Sequence, residues 1–173
     1  MTIIRPARET DLPEIVEIYN HVILHTTAVY QYVPQTLEMR KTWYDGKVKD
    51  GFPLFVAEDA GRVVGLSTYG PFRPWAAYKY TVENSIYVAA DQRGKRIARL
   101  LMSPLIDSAR TQGYHAIIAS IDATNESSLR LHRSFGFEEV AHFRQVGYKF
   151  GRWLDLKFLE LLLPDSPVQP MEG

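Results

Sequence analysis

The chain of 173 residues carries 46% hydrophobic against 23% charged side chains, enough for a packed core of about one domain, which excludes intrinsic disorder. Twenty Lys and Arg balance twenty Asp and Glu, so no net field draws the chain to nucleic acid or anionic lipid, and a charged ligand must be met by a local cluster. With no cysteine, disulfide scaffolds, thiolate metal sites, iron–sulfur clusters and cysteine nucleophiles are excluded together, and oxygen and nitrogen groups must carry any chemistry.

Met1 to Glu9 interleaves charged and apolar residues, which does not resemble a signal peptide, and no apolar run approaches the roughly 18 residues of a membrane span. A soluble cytoplasmic protein without nucleic-acid or membrane partners is the expectation. Asp11 with Glu14 predicts an Asp form of the capping box, opening a helix whose apolar face is Leu12, Ile15, Val16, Tyr19, Val22 and Ile23. Thr36 is suited to cap a second helix carrying Leu37, Arg40, Trp43, Tyr44 and Val48 and closing near Gly51. Pro53 to Glu58 and Arg62 to Tyr69 read as an antiparallel pair around Asp59-Ala60-Gly61.

A proline-rich and aromatic loop from Pro71 to Ala77 precedes a strand at Tyr80 to Val88, with Val82, Ile86 and Val88 on one face and Glu83, Ser85 and Tyr87 on the other. Arg93-Gly94-Lys95-Arg96 opens a helix with Ile97, Leu100, Leu101, Leu105 and Ile106, stopped by Gly113, and His115 to Ile121 is the next strand. Strand, helix and strand in so short a span imply a right-handed parallel crossover. A short helix from Glu126 to Phe135 ends at Gly136, and strands follow near Glu138 to Val146 and Arg152 to Leu163. The fold class is therefore α+β, a mixed central sheet flanked by helices with one parallel βαβ unit, in a single domain spanning 1–163 with a frayed proline-containing tail at 164–173.

The first turn of the third helix collects Arg93, Lys95, Arg96 and Arg99, the wrong sign for the positive end of a helix dipole. An anionic ligand among them would remove the conflict, since free amides at that end point at an oxyanion; a solvated basic patch is the alternative. The P-loop pattern fails because Arg96 follows Gly94-Lys95, and the Rossmann glycine triplet is absent. The stretch from Arg93 through Ala98 resembles the pyrophosphate loop of the GNAT superfamily of N-acetyltransferases, with Arg96 where the middle glycine is expected. The surrounding Glu83-Asn84-Ser85-Ile86-Tyr87-Val88 and the run from Asn125 to Gly136-Phe137 resemble that family's central strand and its asparagine, short helix and Gly-Phe ending. Ile18-Tyr19-Asn20, Thr81-Val82-Glu83 and Gly147 to Leu156 are similar to the phosphinothricin and methionine sulfoximine acetyltransferase branch.

Acetyl transfer from a thioester to an amine needs a neutral amine, a stabilised oxyanion and a proton for the departing thiolate. Glu83 is the candidate base, with a raised pKa if a covered strand desolvates it; a solvated carboxylate, or an ion pair with Arg73 or Lys79, is the alternative. His132 stands where many members of the family carry a tyrosine acid, and an imidazole can give a proton to the thiolate. The resemblance assigns acetyl-CoA to the backbone of Ile86, Tyr87 and Val88, to Arg93, Gly94, Lys95, Arg96, Ile97, Ala98 and Arg99, and to Asn125 and Ser128. Asn125 suits a helix cap equally well. On the substrate side it points to Tyr30, Arg73, Pro74, Trp75 and Tyr78 with Glu83, Asn84 and Ser85, a guanidinium suiting a carboxylate and aromatics a side-chain pocket.

His21 and His25 have a metal-compatible spacing but no third ligand, and no metal is expected. The apolar final strand, with Trp153, Leu154, Leu156, Phe158, Leu159 and Leu161, is either core or a pairing surface for a second subunit; members of the branch are commonly dimers, and a homodimer is the expectation. The resemblance thus implies direct acetyl transfer to the α-amine of a small amino acid or analogue of the methionine sulfoximine, methionine sulfone or phosphinothricin type. A protein N-terminus or polyamine as acceptor, and a non-catalytic acyl-CoA-binding module, are the alternatives.

Overall fold

The computed structural model describes residues 1–164, so the expected tail lies, from Asp165 on, outside the described residues. Eleven principal elements follow one another: β1 (Ile3–Pro6), α1 (Leu12–His25), α2 (Leu37–Lys49), β2 (Leu54–Asp59), β3 (Arg62–Pro71), β4 (Thr81–Val88), α3 (Ile97–Thr111), β5 (Ala116–Asp122), α4 (Glu126–Arg133), β6 (Glu138–Lys149) and β7 (Arg152–Leu162). The strand order is β1-β2-β3-β4-β5-β7-β6, mixed because β4 and β5 run parallel. The α+β class with one parallel crossover is the observed architecture. Strand β1 is additional to the elements read from the sequence, being too short for its alternation to show.

Contacts divide the chain into two compact units, one of Met1–Thr68 with Ser85–Leu105 and the other of Tyr69–Asn84 with the chain from Ile106 on. In the first, β2 pairs antiparallel with both β1 and β3, and the β2–β3 hairpin turns through Ala60 and Gly61 at φ of 50° and 78°, the paired left-handed residues that a tight hairpin needs. Helix α1 buries Leu12, Ile15 and Ile18 against Leu54, Val56, Val63 and Leu66. Its expected capping box does not form. The Asp11 carboxylate turns back to accept both terminal nitrogens of Arg5 at 2.8 Å and the amide of Arg8 at 2.7 Å, while Glu14 accepts the Val63 amide at 3.0 Å. A bidentate guanidinium is a stronger partner than a helix amide, and it holds the Asp11 carboxyl below its usual range. Thr36 does cap α2, accepting from the Met39 amide at 3.1 Å.

In the second unit, β4 and β5 pair in parallel from Thr81–Ala116 to Glu83–Ile118, β7 pairs antiparallel with β5 along its length, and β6 flanks β7. The β6–β7 hairpin turns at Phe150 and Gly151, again with positive φ of 51° and 73°. β7 lies between β5 and β6, so both its backbone edges are hydrogen-bonded within the chain; Leu154 and Leu159 are buried, Trp153 stays exposed, and β6 lies at the margin of this unit. No helix among the described residues is long and apolar enough to cross a membrane.

Candidate active site

In the first unit, β4 contributes Ser85, Ile86, Tyr87 and Val88, all half-buried, and a tight connection then leads to α3. That connection differs from the expected helix opening. Arg93 is extended, Gly94 has φ of 79° and Arg96 φ of 63°, so the helix begins only at Ile97, and the Arg96 carbonyl accepts from Arg99 and Leu100 at 3.0 and 3.2 Å. The amides of Ile97 and Ala98 thus precede the first helical hydrogen bond and have no partner within the helix. Arg93, Lys95, Arg96 and Arg99 are exposed around them, with Lys95 Nζ donating to Gln92 Oε1 at 2.8 Å. Arg96 occupies the left-handed region that the family's glycine would adopt without strain. Ile97 and Leu101 anchor the helix against Ala57 and Val64.

Tyr30 is half-buried and Tyr32 exposed in the segment between α1 and α2. Its far end is tied to α1, because Asn20 Nδ2 donates to the Gln35 carbonyl and the Gln35 amide to Asn20 Oδ1, both at 2.8 Å. Arg40 was legible only as a point on an amphipathic helix, yet it is 3% exposed. Its guanidinium lies 3.9 Å from the centre of the Tyr19 ring and 4.4 Å from that of Trp43, Tyr19 meets Tyr87 edge-on at 5.3 Å, and Nε and Nη2 have no hydrogen-bond partner among the described residues. Burial lowers its pKa.

In the second unit, Glu83 is half-buried on β4, opposite Ile118 of β5 at the last register pair of the parallel ladder. Among the described residues it forms no ion pair with Arg73 or Lys79: the exposed Arg73 stacks at 4.3 Å on Phe72 and donates to that residue's carbonyl, and Lys79 lies 5.0 Å from the Tyr80 ring. Phe72 meets Tyr78 edge-on at 5.7 Å and Phe158 at 6.2 Å, and Trp75 lies 6.4 Å from Tyr78. Arg73, Pro74, Trp75 and Tyr78 therefore form one exposed aromatic and cationic patch.

Asn84 and His132 are both buried and joined, Asn84 Nδ2 lying 3.0 Å from His132 Nε2. His132 Nδ1 is 2.8 Å from the Ser128 carbonyl, which can only accept, so Nδ1 carries the proton. The ring edge meets Phe137 at 5.0 Å, and burial lowers the imidazole pKa, outweighing the carbonyl contact that raises it. A neutral ring protonated at Nδ1 leaves Nε2 as an acceptor, which takes the Asn84 amide hydrogen. Asn125 caps α4, its Oδ1 accepting from the Ser128 amide at 3.2 Å and from Ser127 Oγ at 3.0 Å. Ahead of it, buried Asp122 accepts the Thr124 amide at 2.9 Å. No group of three or more His, Asp or Glu among the described residues could hold a metal ion, and His21 and His25 stack on each other at 4.6 Å.

A family model described as an acetyltransferase (GNAT) domain matches residues 4–157. An L-methionine sulfoximine/L-methionine sulfone acetyltransferase of Pseudomonas paraeruginosa is 45% identical over 168 residues, 96% of this chain and 98% of that protein. Among solved structures, a GNAT superfamily phosphinothricin acetyltransferase from Sinorhizobium meliloti in complex with acetyl-CoA superposes with a TM-score of 0.94 at 34% identity, covering 99% of this chain and 94% of the other. A ribosomal-protein-alanine N-acetyltransferase from Brucella melitensis does so with a TM-score of 0.92 at 46% identity, covering 93% and 99%.

Proposed function

From the premise that this chain belongs to the GNAT superfamily and is an acetyl-CoA-dependent N-acetyltransferase, we propose that its acceptor is the α-amine of a small amino acid analogue of the methionine sulfone, methionine sulfoximine or phosphinothricin type. The observation that carries this reading is the near full-length relation to an enzyme that bears that activity in its name.

The residues present fit acetyl-CoA, which supplies the acetyl thioester when bound. Open amides at Ile97 and Ala98 with Arg93, Lys95, Arg96 and Arg99 around them suit a diphosphate, Gly94 at positive φ lets the chain turn tightly there, and the backbone of Ile86, Tyr87 and Val88 offers amide groups to a pantetheine arm. The family resemblance assigns Asn125 and Ser128, at the start of α4, to acetyl-CoA as well. Glu83 accepts the proton of the amine, directly or through water, so that nitrogen attacks as a free base. Arg73 clamps the substrate carboxylate, and Trp75 and Tyr78 wall its side chain, while Pro74 shapes the neighbouring backbone. Transfer is direct, with no cysteine to carry the acetyl group: the amine nitrogen forms the new bond to the acetyl carbon as the bond to sulfur breaks, and the departing thiolate would take its proton from water. The active form is a cytoplasmic homodimer, its contact supported by exposed Val140, Phe143, Val146, Tyr148, Phe150 and Trp153 on the β6–β7 hairpin.

The similarity to a ribosomal-protein-alanine acetyltransferase favours a second reading, a peptide amine as acceptor. Following thiol release from acetyl-CoA with methionine sulfone, methionine sulfoximine, phosphinothricin and a peptide beginning with alanine separates the two. Turnover confined to the peptide, or absent from every free amino acid while acetyl-CoA binds, overturns the first reading.

A further inference from the structure

We propose that His132 serves this reaction as a positioning residue acting through Asn84, and supplies no proton itself. The inference rests on the reading of the site as acyl-transfer machinery and concerns how that site is held. Every side of the imidazole is occupied by protein: Nδ1–H donates to the Ser128 carbonyl at 2.8 Å, Nε2 accepts from Asn84 Nδ2 at 3.0 Å, and the ring edge packs on Phe137 at 5.0 Å. The side chain is 5% exposed and its pKa is lowered by burial. For Nε2 to give a proton, the buried ring would have to be charged or change tautomer, and the second course breaks the contact with a main-chain carbonyl that has no freedom to turn.

What the imidazole does instead is fix a carboxamide. An Asn side chain can present either end to a partner, and a neutral Nε2 accepts only the amide hydrogen, so His132 selects one of two amide orientations and turns Oδ1 away from the ring. Asn84 follows Glu83 on β4 and lies just past the Glu83–Ile118 pair that ends the parallel ladder. A strand leaving its neighbour loses hydrogen bonds that hold its course; the Asn84–His132 bond ties that point of β4 to α4, whose start is in turn fixed by the Asn125 cap. The backbone next to the candidate base is thereby kept in place without a proton being moved.

The conservative variant His132→Gln separates the roles, because a carboxamide accepts from Asn84 but is not an acid. Positioning predicts kcat within about threefold of wild type and an unchanged kcat–pH profile, whereas loss of a general acid costs about 10²–10⁴-fold. Asn84→Leu and His132→Leu each remove the bond; their losses should be similar, should appear in KM for acetyl-CoA as well as in kcat, and should not add in the double variant. A loss beyond about tenfold in a folded His132→Gln protein, or the disappearance of an ionisation from its profile, overturns the proposal. Should the variants not fold, ¹⁵N imidazole spectra of the wild-type protein decide: a protonated Nδ1 and bare Nε2 for His132 from pH 6 to 8 are required, and a proton on Nε2 overturns it. The spectra do not depend on which amine is the acceptor, so failure of the substrate reading remains distinguishable.

Discussion

A methyl group placed on Gly65 of β3 would lie 3.0 Å from the Tyr87 carbonyl oxygen of β4, and only 3.1 and 3.2 Å from Leu101 and Ile97 at the start of α3. Glycine there lets the helix that carries the candidate diphosphate site sit directly on the strand backbone. Because the nearest atom belongs to the main chain and cannot swing aside, Gly65→Ala should destabilise the protein by about 1–3 kcal/mol, the usual range for overpacking. It should also raise KM for acetyl-CoA, as the first turn of α3 is pushed outward. Thermal unfolding with acetyl-CoA kinetics checks both, and an unchanged KM would show that the close approach serves stability alone.

Arg96 combines a left-handed φ of 63° with a charge at the helix start, and the two properties pull in opposite directions on substitution. Arg96→Gly should raise the stability of the unliganded protein by about 1 kcal/mol, the order of the strain a side chain carries in that region. It should simultaneously weaken coenzyme A binding about two- to fivefold, the worth of one charge near a helix end at 0.3–1 kcal/mol. Calorimetry of unfolding and of binding on the same samples reads the two signs; tighter binding by the glycine variant would mean that the guanidinium obstructs the diphosphate.

The elements that repeat a period were legible in the sequence. The alternation in β2 and β3, the 3.6-residue spacing in α1 and α3 and the turn chemistry of Ala60-Gly61 all describe local choices that the tertiary structure reinforces. What escaped were long-range pairings. Asp11 carries the signal of a helix cap, yet Arg5 wins it, and nothing within one helical turn announces a guanidinium arriving from the preceding strand. The apolar run of β7 suits core and pairing surface alike, and its place between β5 and β6 is set by partners distant in sequence. Arg40 is the sharpest case, since its place on the second helix beside Leu37 and Trp43 says nothing of the charge's fate, and only the convergence of Tyr19 and Trp43 shows the guanidinium buried. Of the candidate site, motifs nominate residues one at a time, but the hydrogen-bonded state of His132 was not legible, because Asn84 reaches it from β4, 48 residues earlier in the chain.

The burial of Arg40 with no anionic partner among the described residues makes an unusual stability forecast. Aromatic faces return up to about 2 kcal/mol to a desolvated cation, but two guanidinium nitrogens stay unbonded. Replacing the whole group with an apolar chain of similar length should therefore cost little, and Arg40→Met is expected to lie within about 1 kcal/mol of wild type. Tyr19→Ala, which strips one face and leaves the cation buried, should cost about 3–5 kcal/mol. Denaturant unfolding of the two variants tests the ordering, and the reverse ordering would show that the guanidinium has an essential partner.

Lys47, about two turns further along α2, predicts a pH dependence. Burial, reinforced by the neighbouring Arg40 charge and opposed by Asp50, lowers its pKa to about 8, while its Nζ lies 5.7 and 5.2 Å from the Trp43 and Phe52 ring centres. An unfolded chain keeps this proton up to about pH 10.4. Between about pH 8 and pH 10 the unfolded state therefore binds more protons than the folded one, so folding stability rises with pH, by up to about 2 kcal/mol. Above pH 10 the trend is opposed by Tyr69, whose phenol is pushed up to about 12 by burial and resists ionising in the folded state. Lys47→Met should flatten the rise between pH 8 and pH 10 in urea unfolding series; an equal slope in wild type and variant would assign it to other groups.

Glu83→Gln isolates the proton transfer on which the acetyltransferase reading turns. The amide has nearly the shape of the carboxylate but cannot take a proton from an ammonium substrate, so kcat should fall about 10²-fold or more while the Kd for acetyl-CoA stays within about twofold of wild type. The loss has a further signature: without a base, only substrate that is already deprotonated reacts, so the variant's rate should climb about tenfold per pH unit toward the amine's own pKa. The wild-type rate should rise less steeply over the same range, narrowing the gap at alkaline pH. Glu83 has no competing ion pair among the described residues whose loss would mimic this pattern, since Arg73 is engaged with Phe72 and Lys79 with Tyr80. A pH-independent deficit would instead place Glu83 in substrate orientation and move the base to another group.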